Sequence, residues 1–182
     1  MSFISKIKQF SPSFLILLPL LVTISCNDEP EASRSTNHFG MMRDSLVKYN
    51  REVVRTEDQQ IEDFISRYGW KMKQSGTGLR YMIFKNGTGK KAEKGKIAVI
   101  RFNVKLLNGN LCYSSDKDGL KEFRIGHGGI ESGVEEGILY MRVGDRGKFI
   151  VPSHLAFGLL GDQNKIPRRA TLVYDIELVK LK

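Results

Sequence analysis

An α+β fold is what this sequence predicts: several antiparallel strands with one short helix among them. Three observations predict it. From about Leu79 onward, apolar and polar residues alternate in short runs rich in Val, Ile and Phe, the period-two pattern of half-buried strands. Gly-rich and Asn-Gly turns separate those runs. One segment alone, Ile130 to Met141, switches to helical spacing, with Ile130, Val134, Ile138 and Met141 recurring on one face. Strands joined locally with a single helix among them give an α+β domain.

The strands follow in order. Ser75-Gly-Thr-Gly78 is a turn, and Leu79 to Lys85 alternates as a strand. Asn86-Gly87 is read as the next turn, and that chemistry also accounts for the glycosylation-like triplet Asn86-Gly-Thr88. Lys96 to Leu107 is a long β-branched run. Asn108-Gly109 is a hairpin signal, and Asn110 to Ser115 returns from it. Lys121 to Ile125 is a short strand and Gly126-His-Gly-Gly129 a loop. Gly147 to Val151 and Ala170 to Leu181 complete the set.

Before this domain, Asn37 to about Met72 reads as helical. Thr56-Glu-Asp-Gln59 has the spacing of a capping box, in which the Thr hydroxyl and Gln amide satisfy free backbone N–H groups. Ile61, Phe64, Ile65 and Tyr68 then form one apolar face, and Gly69 stops it. Met42, Leu46, Tyr49 and Val53 make a preceding stripe. Packing on the chain's own domain and docking to a partner or a second copy explain these stripes equally well.

Lys6 and Lys8 precede the apolar run Phe14 to Ile24, which is shorter than the ~20 residues of a membrane span and fits the core of a signal peptide. Ser25-Cys26 ends it. A small residue followed by Cys resembles a bacterial lipoprotein signal, in which the Cys is lipidated and becomes the mature N-terminus. Here Thr23 stands where Leu is usual. An ordinary signal peptide or an uncleaved anchor is the plainer alternative. Asn27-Asp-Glu-Pro-Glu31 resembles the surface-export signal of Bacteroidetes lipoproteins, and reads equally as a solvated linker. Residues 27–37 carry few apolar groups and read as a flexible tether.

The chain carries a formal charge of +9; Lys6 and Lys8 account for two of these, and no acid lies in residues 1–25, leaving +7. That balance favours anionic surfaces such as lipid headgroups, or simply solubility. Nucleic acid is excluded as a partner, because the basic residues are dispersed and an exported protein seldom meets it. Of the two cysteines, lipidation of Cys26 would leave Cys112 without a partner, and its setting, Leu111-Cys-Tyr113, predicts burial. His38, His127 and His154 lack Cys or acidic neighbours at ligand spacing, so no metal and no cofactor are expected.

Other chemistries fail on spacing. Gly126-His-Gly-Gly129 lacks the Gly-x-Ser-x-Gly elbow that a lipase would need. Asp116-Lys-Asp-Gly119 starts like a calcium loop, but its glycine is misplaced and the closing Glu is absent, so it reads as a turn. The pairs Gly76/Gly78 and Gly87/Gly89 do not continue into a phosphate-binding pattern.

Val134-Glu-Glu-Gly137, Val151-Pro-Ser-His-Leu-Ala-Phe-Gly158 and Ala170 to Leu178 occur in the order and at the spacing of one family. From about Lys96 onward the chain resembles the FKBP-type peptidyl-prolyl isomerases. The resemblance implies an antiparallel sheet curved over the short helix, and cis–trans isomerisation of X-Pro bonds as the reaction. It also implies a substrate pocket, with no side chain assigned a covalent catalytic role. Phe123 matches an aromatic wall, Ile130 the start of the helix, and Ile166 a loop contact. Phe102 and Phe157 stand where Tyr is usual, Tyr174 where Phe is usual, and Val134 at the floor where many members have Trp. Cys112-Tyr113 occupies the place of a Phe-Asp pair, so the acid often linked to activity is missing. Lys121 and Glu131 replace apolar groups, though the Glu131 backbone N–H could still hold a ligand carbonyl.

The chain thus divides into a lipoprotein signal (residues 1–25), a tether (26–37), a helical extension (38–72) and an FKBP-type domain (73–182). The arrangement is similar to the gliding-motility-associated FKBP-like lipoproteins of Bacteroidetes. It implies an enzyme for prolyl bonds of exported proteins, anchored to the bacterial envelope by lipid on Cys26, on its periplasmic face or at the surface. The alternatives are a catalytically weak chaperone or scaffold, and a lipoprotein subunit of an envelope machine that docks through the helical extension.

Overall fold

The computed structural model describes residues 31–182, with side chains from Phe39 onward. The stretch read as a lipoprotein signal, and Cys26 with it, lie outside the described residues. Among the described residues the chain divides into two units, one ending at Lys48 and the other spanning Tyr49–Lys182. Helix α1, Glu31–Tyr68, contributes to both. In the first unit Phe39, Met41, Met42, Leu46 and Val47 are exposed.

Helix α1 begins at Glu31, inside the stretch read as tether; no Pro or Gly interrupts residues 31–39, so low hydrophobicity there does not prevent helix formation. It ends at Tyr68, short of Met72, because Gly69 turns into the left-handed region at φ 62°. The expected capping box is not one. Thr56 lies mid-helix, its hydroxyl donates back to the Glu52 carbonyl at 2.9 Å, and Gln59 donates to Asp63. A Thr with four residues of regular helix before it has no free N–H groups to cap.

The second unit is built on one seven-stranded antiparallel sheet. Its strands are β1 (Lys73–Gln74), β2 (Arg80–Lys85), β3 (Ile97–Leu106), β4 (Leu111–Ser114), β5 (Lys121–Arg124), β6 (Arg146–Val151) and β7 (Leu172–Leu181). The order is β1-β2-β6-β7-β3-β4. One edge of β3 pairs along β7; its other edge pairs with β5 through Ile97–Ile100 and with β4 through Asn103–Lys105. The Asn108-Gly109 turn closes the β3–β4 hairpin, with Gly109 at φ 90°.

Asn86-Gly87 does not close a hairpin, since β2 pairs with β1 and β6 instead. Gly87 lies against the backbone of residues 143–145 and donates its N–H to Asp145 Oδ1 at 2.5 Å. A Cβ there would overlap the Val143 carbonyl, so the glycine serves close approach rather than a turn. Asp116-Lys-Asp-Gly119 forms one turn of helix, α2 (Ser115–Asp118), not a bare turn. Asp118 takes the Ser114 N–H and Gly119 leaves it at φ 79°.

The expected helix is α3, Ser132–Ile138, with Val134 and Ile138 fully buried. It lies close on the sheet because Gly133 and Gly137, four residues apart, face Val151 and the Phe149 ring. Alternation along β6 and β7 serves two layers. Phe149, Val151, Leu172, Tyr174 and Ile176 join Val134 and Ile138 in the main core. Ile150 and Val173 point the other way and meet Ile61 and Phe64 of α1. The second apolar stripe of α1 therefore packs on the chain's own domain, with Tyr68 left half exposed.

A buried guanidinium fixes that packing. Arg80 is 3% exposed and binds Glu62 at 3.0 Å, Asp58, and the Gly78 carbonyl at 2.6 Å. A charge taken out of water needs such saturation.

Candidate functional site

The inner end of β3 supplies one wall of a cavity of about 520 Å³. Ile100, Phe102 and Val104 follow at every second residue, so they share a face of the strand. Tyr113 on β4 stands next to them, and Asp118 to Lys121 close that side. Opposite, Ile130 and Glu131 lead into α3. Tyr174 comes from β7; Phe157, Asp162 and Asn164 come from the long loop between β6 and β7. A three-residue 3₁₀ turn, Ser153–Leu155, opens that loop.

Six of the ten expected site residues line the cavity: Phe102, Tyr113, Ile130, Glu131, Phe157 and Tyr174. The other four, Cys112, Phe123, Val134 and Ile166, are buried in the core that supports them. Cys112 sits 6% exposed, with its thiol 3.7 Å from the Lys165 carbonyl. Burial, and after it the charge of Asp162, pushes that thiol pKa up, away from the reactive range.

Asp162 was not legible in the sequence. Its Oδ1 accepts the N–H groups of Asn164 at 2.9 Å and Ile166 at 2.7 Å, while Oδ2 accepts the Tyr113 hydroxyl. Partial desolvation opposes its ionisation. The Tyr113 hydroxyl and these backbone donors outweigh that and hold its carboxyl below the usual range. Tyr113 shifts upward, first through that hydrogen bond and then through burial. Lys165 places its ammonium 4.7 Å from the centre of the Tyr113 ring. A carboxylate therefore stands in this wall after all, supplied by the loop rather than by position 113.

The Asp-x-Asn spacing at 162–164 marks an Asx turn, a signal present in the sequence. Its reach to Tyr113 is not, because 49 residues separate the two. Ile100 and Val104 could have been read from their alternation with Phe102.

Tyr174 is 3% exposed, and its ring forms the depth of the cavity. Burial, then the charge of Glu131, pushes its phenol far above the ordinary range. The Glu131 N–H, at the residue preceding α3, has no backbone partner among the described residues and remains available to a ligand carbonyl. The cavity thus offers apolar and aromatic walls, the Glu131 N–H as a donor, and acids (Asp118, Glu131, Asp162) against one cation, Lys121. Such a lining suits a small apolar ring flanked by amides. Among the described residues no three of His, Cys, Asp and Glu cluster as metal ligands would.

Residues 88–179 match the family of FKBP-type peptidyl-prolyl cis-trans isomerases, half of the chain. The chain belongs to that family. It is 38% identical over 90 residues to FK506-binding protein 2 of Dictyostelium discoideum, covering 49% of this chain and 68% of that protein. It is 33% identical over 138 residues to the probable FKBP-type peptidyl-prolyl cis-trans isomerase FkpA of Neisseria meningitidis serogroup B. That match takes in 74% of this chain, which spans only half the length of the relative. The crystal structure of FkpA from Escherichia coli superposes with a TM-score of 0.62 at 26% identity, over 85% of this chain and 73% of that one.

Proposed function

We propose that this FKBP-type chain accelerates cis–trans isomerisation of X-Pro bonds in exported polypeptides, while held to the bacterial envelope by lipid on Cys26. The observation that carries the enzymatic part is the aromatic cavity itself, with Phe102, Phe157 and Tyr174 around a space of about 520 Å³.

The chemistry needs nothing more reactive. Rotation about X-Pro is opposed by a barrier of about 18–20 kcal/mol because the C–N bond has double-bond character. The twisted transition state loses that resonance and part of its carbonyl polarity. A cavity that excludes water favours the less polar, twisted amide over the planar one, which is differential binding without a covalent step. Ile130 and the three rings enclose the proline, and the Glu131 N–H takes a neighbouring carbonyl and fixes the direction of the chain. Uncatalysed isomerisation takes tens to hundreds of seconds, slow enough to limit folding.

A protease-free assay on prolyl peptides tests this, with the full chain in detergent. Acceleration above the thermal rate, lost in Phe157→Ala, supports it; a thermal rate in the folded chain refutes it. Lipidation is tested separately, by the mass of the N-terminal peptide of wild type and Cys26→Ser.

A second reading is a holdase or scaffold of an envelope machine, as in gliding-type lipoproteins. Leu159 and Leu160, exposed at 62% and 69% on the loop that carries Phe157 and Asp162, favour it by presenting apolar surface to a client. Under that reading the chain suppresses aggregation of an unfolded client with no catalysis of prolyl bonds.

A further inference from the structure

The long loop after β6 carries Phe157, Asp162 and Asn164 into the cavity, and its two ends meet one side chain of the helical extension. Glu57 of α1 accepts the Ser153 N–H at 2.7 Å and the Ser153 hydroxyl at 3.0 Å, at the loop's beginning. The same carboxylate accepts the Thr171 hydroxyl at 2.6 Å, at the loop's end. Thr171 is 6% exposed, so its hydroxyl has no comparable exchange with water. Nearby, Arg169 Nη1 donates to the Tyr49 hydroxyl at 3.1 Å, and its guanidinium stands 5.5 Å from that ring's centre. Arg169 holds a left-handed backbone at φ 54°, a conformation a non-glycine residue keeps only where its surroundings enforce it.

We propose that Glu57 is a positioning residue for the prolyl cavity: it clamps both ends of the loop that bears Phe157 and Asp162, and so makes the helical extension a working part of the site. The inference rests on the isomerase reading for its kinetic consequence, and on geometry alone for the clamp. Glu57 touches no substrate. It acts through Ser153 and Thr171, because hydrogen bonds to a charged acceptor are stronger than neutral ones and three of them converge on one carboxylate. The neighbouring acids Asp58 and Glu62 serve a different end, since both bind Arg80 and tie the helix to the sheet, and neither hydrogen-bonds the loop.

That difference supplies the control. Glu57→Ala and Asp58→Ala, in the full chain, are compared by amide hydrogen exchange and by peptide isomerisation well below their melting temperatures. Glu57→Ala should raise exchange in residues 152–171 roughly tenfold and lower kcat/KM about five- to tenfold, the scale of a lost charged hydrogen bond. Asp58→Ala should leave loop exchange and kcat/KM near wild type. Glu57→Gln, with one acceptor oxygen left, should fall between. Equal loop exchange in the two alanine variants, or an unchanged loop in Glu57→Ala, overturns the proposal. If Glu57→Ala does not fold, Ser153→Ala with Thr171→Val removes the side-chain bonds from the loop side and is read the same way. If wild type itself shows no isomerisation, the catalytic reading falls while loop exchange still decides the clamp.

Discussion

The Tyr113 hydroxyl donates to the Asp162 carboxylate, and this bond joins β4 to the loop after β6 within the wall of the cavity. It explains how a bulky phenol is accommodated where the family resemblance implies an acid. The ring lies under Lys165, and the carboxylate it meets is already oriented by Asn164 and Ile166.

Tyr113→Phe keeps the ring and removes the bond. The expected cost is about 1–2 kcal/mol, because the acceptor is charged but only partly withdrawn from water. Chemical denaturation measures it. Asp162→Asn should cost as much, and the double variant should cost less than the sum, because the two share one interaction. Additive losses would remove the bond from the account.

Tyr113→Asp has a different expected outcome from a simple restoration of the family residue. It places a second carboxylate beside Asp162, and like charges at that range disfavour each other's ionisation. Its carboxyl should titrate above the usual range in a carbon-detected NMR experiment. Titration at an ordinary value would mean that the loop had moved away.

The pH dependence follows from the same groups. The carboxyl of Asp162 is lowered in the folded state, so its contribution is present above its unfolded value near 3.9 and is lost as pH falls through the lower folded value. Tyr113 and Tyr174 are raised, so theirs is present below about pH 10 and is lost as pH rises through the higher folded values. Stability should therefore decline at both ends. Above pH 10, tyrosinate absorbance from Tyr174 should appear only together with unfolding. Its appearance in the native protein near pH 10 would contradict its burial.

Gly137→Ala tests the seat of α3. Alanine improves helix propensity by about 1 kcal/mol, but its methyl would press on the Phe149 ring, which sits in a fully buried position. A net loss of about 1–3 kcal/mol is expected on thermal or chemical unfolding. A gain would show that α3 can lift from the sheet without cost.

Much of this fold was readable because its strands alternate cleanly and its turns use glycine. Ile130 to Met141 likewise announced α3 through apolar spacing, although only Ser132–Ile138 is helical. What stayed hidden depends on partners distant in sequence. Thr56 looked like a cap because its neighbours have the right chemistry, and only the helix running before it removes that role. Gly87 looked like a turn residue because Asn-Gly favours one; its actual task is set by the backbone at 143–145. Ile61 and Phe64 could not reveal whether they meet β6 and β7 or another molecule until the outward residues Ile150 and Val173 were seen beneath them. In the cavity, residue type located the aromatic rings, whereas Asp162 required knowing that loop and strand meet.

The sharpest separation between cavity and core is in two phenylalanines that look alike in sequence. Phe157 is half-buried on the loop and lines the cavity. Phe123 is 6% exposed on β5, opposite Ala98, and belongs to the core beneath it. Phe157→Ala removes a wall that a bound proline would touch, so kcat/KM should fall about tenfold or more, while stability drops by no more than about 1 kcal/mol. Phe123→Ala leaves a hole in packed interior and should cost about 3–5 kcal/mol. Its activity, measured where the variant remains folded, should fall less than that of Phe157→Ala. Paired denaturation and isomerisation measurements check both. If Phe123→Ala stays stable but loses activity, Phe123 faces the substrate and the boundary between wall and support lies one layer deeper.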